Sequence, residues 1–322
     1  MKFDTLIIGG GLAGLTCGIR LQKNGVKCAI VSTGQSALHF SSGSFDLLNE
    51  LADGTKVDNP VAAADKVSAN HPYAKLGDNF AYYVREAKQQ FLDCGIEVNG
   101  DAEHNHLRIT PMGTLKPTWL TFSDFTPLSS ANDTAGKKIL VVNMAGFLDF
   151  NTKFVADSFE KYGAECRISS INLPELERFR ISPTEMRSTN IARVLENEKT
   201  LEALILELTG KISDFDIVAL PAVFGLSSVA SVKKLKESLD IPVWLIPTMP
   251  PSVPGIRAQQ QLRRSFEELG GVYMLGDTVV KADFSGNKVQ AVYSVNHGDI
   301  SFVAENFILA SGSYFSNGLA AG

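Results

Sequence analysis

Cysteine is scarce. The 322 residues hold 4 of them, Cys17, Cys28, Cys94 and Cys166, and no two form a C-x-x-C pair. That spacing excludes a locally built zinc knuckle or iron–sulfur loop and argues against a disulfide framework, so a reducing, cytoplasmic compartment is expected. Basic charge is not in excess either: Lys plus Arg total 30 against 35 for Asp plus Glu, a formal charge of -5. The chain therefore lacks the sequence-independent attraction that draws proteins onto phosphate backbones or anionic lipid, and no nucleic-acid partner is expected. Long apolar runs are missing. Ile217 to Leu226 is interrupted by Pro221 and falls short of the roughly 20 residues that span a bilayer. His104-x-His106 has metal-like spacing, but no Cys or third His lies nearby; it reads as a solvated loop, and no metal is expected.

What is present is an ordinary globular composition, 44% hydrophobic with 27 glycines, and a length that suits about two domains at roughly 150 residues each. The most informative segment is the first. Thr5 to Ile8 is β-branched and apolar, Gly9-Gly10-Gly11-Leu12-Ala13-Gly14 follows at once, Leu15 to Gln22 has helical spacing, and Val26 to Val31 returns as a second strand. An apolar start broken by three glycines and preceded by Asp4 reads as a strand and not as a leader peptide. In such a strand–turn–helix–strand unit, Gly9 permits a tight turn, Gly11 lets backbone approach a phosphate or pyrophosphate, and Gly14 lets helix and strand pack closely. Gly10 completes the turn, and the helix N-terminus faces the anion.

One part of that pattern is lacking. The acid that usually holds an adenosine ribose at the end of the second strand is replaced by Ser32, and no Asp or Glu occurs between Asp4 and Asp46. Either a hydroxyl does the work of the carboxylate, or the ligand carries no adenosine, as in a mononucleotide flavin. The acid-free segment also argues against a nicotinamide-dependent dehydrogenase, the main alternative for the same glycine turn.

Other candidates lie further on. Ser41, Ser42 and Gly43 form a small polar loop suited to phosphate or ribityl oxygens, though the same residues also make solvated turns. His39, just before them, is placed to move a proton, although a lone histidine is more often structural. Thr248 to Arg257 contains three prolines and leads into a helix ending near Leu269; Arg257, expected in its first turn, can grip a phosphate through its planar fork, and Lys116 is a similar candidate. Towards the end, Thr278 to Phe284 and Lys288 to Val295 alternate around Ser285-Gly286-Asn287, the signature of a hairpin. Ser301 to Ala304 continues that pattern, and Asn306 to Ser313 reads as a separate buried strand that brings Ser311 and Gly312 to the ligand side of the first sheet. In the middle, Lys137–Asn143, Thr152–Tyr162 and Ala164–Ile171 read as one βαβ unit, and 216–220, 228–239 and 242–246 as another. The fold expected is α/β: a Rossmann-like FAD/NAD(P)-binding flavoprotein domain built from 1–70 and 272–322, with an inserted substrate or interaction domain at 71–271.

The GGGLAG turn and the FILASGS segment at 307–313 resemble the glutathione-reductase-type flavoproteins. HFSSGSFDLL at 39–48, PMGTLKPTWL at 111–120 and PPSVPGIR at 250–257 resemble, more specifically, the B subunits of anaerobic glycerol-3-phosphate dehydrogenases. That resemblance implies flavin-dependent oxidation of sn-glycerol 3-phosphate to dihydroxyacetone phosphate, with electrons passing to quinone and then fumarate or nitrate. It implies FMN in preference to FAD, a flavin-bearing A subunit and a membrane-docked iron–sulfur C subunit as partners, and a cytoplasmic position peripheral to the inner membrane through the complex. It also implies that members continue beyond the strand near which this sequence ends. Within that reading His39 takes the hydroxyl proton while Arg257 and Lys116 hold the phosphate. The alternatives inside the same complex are an electron-relay role and a non-catalytic scaffold.

Overall fold

The computed structural model describes residues 1–313 and Gly318. In chain order the main elements are β1 (Lys2–Ile8), α1 (Leu12–Lys23), β2 (Cys28–Ser32), β3 (Ser44–Phe45), α2 (Pro72–Leu76), α3 (Asn79–Asp93), β4 (Val98–Asn99), β5 (His106–Ile109), β6 (Leu115–Thr118), β7 (Leu120–Phe122), β8 (Lys138–Met144), α4 (Thr152–Lys161), β9 (Glu165–Ile171), α5 (Glu177–Ile181), α6 (Ser188–Leu195) and α7 (Glu198–Thr209). They continue with β10 (Ile217–Pro221), α8 (Ala230–Glu237), β11 (Val243–Ile246), α9 (Val253–Glu268), β12 (Val272–Leu275), β13 (Val279–Ser285), β14 (Lys288–Ser294) and β15 (Phe302–Leu309). No helix among the described residues is long and apolar enough to cross a membrane.

The chain forms two compact units, Met1–His39 with Ala258–Gly322, and Phe40–Arg257. The junctions read from the sequence, at 70/71 and 271/272, differ from these. The second now falls inside α9, because one continuous helix carries the chain from the proline-rich loop towards β12, where the sequence offers only a glycine pair as a break.

The first unit is built on a six-stranded sheet in the order β12-β2-β1-β15-β14-β13. β12, β2, β1 and β15 run parallel, while β15 with β14 and β14 with β13 pair antiparallel. Leu6, Ile7, Leu15, Ile19 and Ile30 are fully buried, each contributing about 1.5–3 kcal/mol by leaving water. α1 begins three residues earlier than its apolar spacing suggests, and it keeps Gly14 and Gly18 in its interior. Both glycines are there for packing: a Cβ on Gly18 would lie 2.8 Å from the Phe266 ring. The hairpin around Ser285-Gly286-Asn287 forms as the alternation dictates. The segment after it differs from expectation. Instead of a short strand and a separate buried one, a single strand β15 runs between β1 and β14, with Val303 and Leu309 40% and 63% exposed. Hydrogen bonds on both edges do not by themselves cover a strand's faces.

The second unit holds a parallel four-stranded sheet, β11-β10-β8-β9, together with a small sheet β3-β7-β4 and the hairpin β5-β6. Both βαβ units read from the sequence are here, each as parallel neighbours. Val155 and Phe159 of α4 are fully buried, at the helical spacing of four.

Candidate functional site

The turn after β1 is shaped by close approach. Gly9 has φ +115, a conformation that side chains rarely adopt, and a Cβ there would meet the carbonyl of Ala310. Its amide donates to the Val31 carbonyl at 2.8 Å, while the Ala310 amide donates to the Ile8 carbonyl at 2.7 Å. The turn is thus held between β2 and the end of β15. A Cβ on Gly14 would lie 1.9 Å from the Gly9 carbonyl, so α1 sits against the turn at backbone distance. Gly11 is different. Its built Cβ has nothing nearer than Ser36 Cβ at 3.5 Å, and as N-cap of α1 it provides no side-chain acceptor for the first-turn amides. There is no acid in that first turn. The N–H groups and the positive end of the helix dipole have no side-chain cap or first-turn acid, the arrangement that binds a phosphate.

Gly10 turns the other way. A Cβ on it would collide with the Tyr273 hydroxyl and Ser32 Oγ, and its carbonyl accepts from Tyr273 Oη at 3.1 Å and from Gln259 Nε2 at 3.5 Å. Gln259, buried in α9, also accepts from Ser36 Oγ at 2.7 Å through Oε1, and it hydrogen-bonds the side chain of His39. Burial holds the His39 imidazole below the usual histidine range, and the Gln259 contact partly offsets this. Gln259 therefore ties together the glycine turn, the loop after β2 and His39. Nothing local in the sequence marks either Gln259 or Tyr273; the only trace of them is the bare Gly10 that they face.

Ser32 ends β2 as expected and is buried, its Oγ donating to the Gly34 carbonyl at 3.2 Å. A carboxylate does lie beside it. Asp277, whose amide donates to the Ser32 carbonyl at 3.1 Å, is buried, but its oxygens accept from the Thr278 and Asn296 amides at 2.9 and 3.0 Å and from His297 Nδ1 at 2.9 Å. Burial pushes its pKa up, and these partners together hold it below the usual carboxylate range. Asp277 is spent on the β13–β14 end of the sheet and does not replace the missing ribose acid. Ser311 and Gly312 lie directly after β15 beside Gly9, and Ser311 Oγ is buried without a partner among the described residues. An orphaned hydroxyl, an uncapped helix and a glycine whose Cβ would make only an ordinary contact together fit the phosphate-bearing part of a dinucleotide or flavin.

The remaining candidates belong to the second unit. Ser41 Oγ accepts from the Gly43 amide at 3.0 Å, and Gly43, at φ +80, is backed by the Phe125 ring. Ser42 Oγ accepts from Arg108 Nη1 at 2.8 Å. Lys116 is exposed on β6. Arg257 departs from expectation in two ways. α9 begins at Val253, which puts Arg257 past the first turn, and its side chain is buried, with Nη1 donating to the Gly225 carbonyl and Nη2 to Asp124 Oδ2. The buried guanidinium is engaged on both terminal nitrogens by the protein and is not held out to an anion. Asp124 was invisible in the sequence because it lies 133 residues away. No group of three or more His, Cys, Asp or Glu among the described residues is placed to hold a metal ion; His106 contacts Thr121 Oγ1 at 3.2 Å instead.

Known proteins resemble this chain along its whole length. Residues 4–322 match the family described as FAD binding domain. The B subunit of anaerobic glycerol-3-phosphate dehydrogenase from Yersinia enterocolitica is 44% identical over 100% of this chain and 77% of its own length. The protein of the same description from Pectobacterium atrosepticum is 42% identical over 99% of this chain and 77% of its own length. Among solved structures, the 3-ketosteroid delta1-dehydrogenase of Sterolibacterium denitrificans aligns with 97% of this chain and 48% of its own, at 12% identity and a TM-score of 0.40. With relatives this similar from end to end, the chain belongs to the FAD binding domain family and, within it, to the family of anaerobic glycerol-3-phosphate dehydrogenase B subunits.

Proposed function

We propose that this chain is the flavin-binding component of a complex that oxidises sn-glycerol 3-phosphate to dihydroxyacetone phosphate and passes the electrons towards quinone. The observation that carries the reading is the uncapped N-terminus of α1 at Gly11, in a chain whose whole length matches an FAD binding domain family. The flavin-binding domain is assigned to the first unit and the substrate or interaction region to the second. The family description favours FAD over the FMN expected from the sequence. The case for FMN rests on Ser32 and on the engagement of Asp277, which together leave an adenosine ribose without a carboxylate.

In this reading the amides following Gly11, with Gly9, Gly10 and Gly14 shaping the turn, hold the cofactor phosphate, and Ser311 and Gly312 line the same side. Ser41, Ser42 and Gly43 are assigned to a phosphate or ribityl group. A bound flavin supplies hydride-acceptor chemistry. His39 takes the substrate hydroxyl proton, a role that its lowered pKa suits because the ring is neutral and ready to accept at neutral pH. Lys116 attracts the substrate phosphate. Arg257, committed to Asp124 and Gly225, fixes the Thr248–Ile256 loop and so acts as a positioning residue. The flavin-bearing A subunit and the iron–sulfur C subunit of the dehydrogenase are the proposed partners, with association at the inner membrane coming through them.

The test is a visible spectrum of the purified full chain, with and without added FAD or FMN, and chromatography of the chromophore released on denaturation. A flavin spectrum supports the reading, and the identity of the released compound decides between FAD and FMN. A colourless protein that takes up neither flavin overturns it in favour of a scaffold. Reduction of the bound flavin by glycerol 3-phosphate, with and without the A subunit, then separates substrate oxidation from electron relay. In that assay His39→Ala lowers kcat/KM if the proton assignment holds, and an unchanged value removes it.

A further inference from the structure

In the hairpin β5–β6, Arg108 stands directly opposite Lys116, so both side chains leave the same face of the ribbon. Two like charges in that position repel each other unless an anion lies between them. Arg108 is only 12% exposed. Its Nη1 donates to Ser42 Oγ at 2.8 Å, yet its Nε is buried with no hydrogen-bond partner among the described residues. The nearest carboxylate, Asp46, is half exposed and stands 4.0 Å from Nε, too far for a hydrogen bond. Burial pushes the Arg108 pKa down, and Asp46 only partly offsets this. A buried cationic donor left unmade is costly. Ser42, which accepts from Arg108, still has its own O–H to donate. Arg257 is different: it is paired with the buried Asp124, whereas Arg108 keeps a buried Nε without a partner among the described residues.

We propose that Arg108, Lys116 and Ser42 form an oxyanion site for the phosphate group of a phosphate monoester, with Asp46 as the counter-ion that the incoming dianion displaces. The Nε edge of Arg108 contributes directional hydrogen bonds, Lys116 a mobile point charge, and the Ser42 hydroxyl a third donor. The site deepens the functional reading above and rests on it only for the identity of the ester. Phosphate binding itself is read without flavin or turnover.

The experiment is calorimetric titration of the full chain with inorganic phosphate and with sn-glycerol 3-phosphate, glycerol serving as the control. Saturable binding of both phosphates and none of glycerol is expected. Lys116→Met, at an exposed position that leaves the fold intact, weakens phosphate binding on the order of tenfold, and Arg108→Gln weakens it further. Asp46→Asn strengthens it, because the competing carboxylate is gone. Repeating the titration on flavin-loaded protein identifies the source of the phosphate: unchanged binding assigns the site to the substrate, and abolished binding assigns it to the phosphate of the cofactor. Absence of saturable binding, or equal affinity in Lys116→Met, Asp46→Asn and wild type, overturns the proposal, whatever the flavin result.

Discussion

Two strand-to-helix crossovers in this chain share a topology and end differently. β1 leads to α1 and back to the parallel neighbour β2; β8 leads to α4 and back to the parallel neighbour β9. At α4 the N-cap is Asn151, whose Oδ1 accepts from the Phe154 amide at 3.1 Å. At α1 the N-cap is Gly11, with no side chain to accept anything. The start of α4 is satisfied by the chain itself, and the start of α1 is left for something else. A βαβ unit by itself therefore says nothing of ligand binding; what separates a structural crossover from a site is which group completes the orphan amides. The same division separates two arginines. Arg257 is closed off by Asp124 and Gly225, whereas Arg108 keeps a buried Nε without a partner among the described residues.

The largest effect is expected where the closed region is opened. Asp124→Ala leaves Arg257 buried and unpaired and should cost about 3–5 kcal/mol in chemical denaturation, while the double change Asp124→Leu with Arg257→Met recovers most of that loss. Equal stability of the single and double variants would show that the pair is not the closing element. Next comes the close approach at the glycine turn. Gly14→Ala places a methyl against the Gly9 carbonyl and should cost about 1–3 kcal/mol, with flavin uptake falling in the same protein. Asn151→Ala removes the cap that makes α4 self-sufficient and should cost about 1 kcal/mol, without changing flavin uptake.

The comparison is sharpest at Gly11→Asn, which gives α1 the cap that α4 already has. A Cβ on Gly11 would make only an ordinary contact, with Ser36 Cβ at 3.5 Å, so stability should stay within about 0.5 kcal/mol or rise, while flavin affinity falls because the amides are now occupied. Unchanged affinity would mean that the phosphate is held elsewhere. The smallest effect concerns His39. Its folded pKa lies below the unfolded value, so the native state binds fewer protons than the unfolded chain. Stability is then complete above about pH 6.5 and declines as the pH falls below that value. His39→Gln should flatten the fall in Tm between neutral and mildly acidic pH; a slope identical to wild type would remove His39 as its source.

Much of the first unit was legible because its signals are local. Alternation before a glycine turn, helical spacing after it, and a Ser-Gly-Asn turn between two alternating strands each specify an element within a few residues. The start of α1 was misplaced because Gly14 lowers helix propensity, and only the approach of the Gly9 carbonyl explains why a glycine must stand there. Arg257 was legible as a cation after a proline-rich loop but not as a buried one.

Composition and spacing by themselves determined the α/β class, the phosphate-type turn at Gly9–Gly14 and the acid missing at Ser32; the membership came from the resemblance of GGGLAG, HFSSGSFDLL, PMGTLKPTWL and PPSVPGIR to known flavoproteins. Tertiary structure alone decided which polar groups are used up and which remain available. Asp277 is spent on His297, Arg257 on Asp124, and Gln259 on the glycine turn and His39, while Ser311 Oγ and Arg108 Nε stay without partners among the described residues. The physical reason is separation along the chain. Hydrogen-bond satisfaction is settled by partners that meet only when the sheets assemble, and no local pattern of residue types records them.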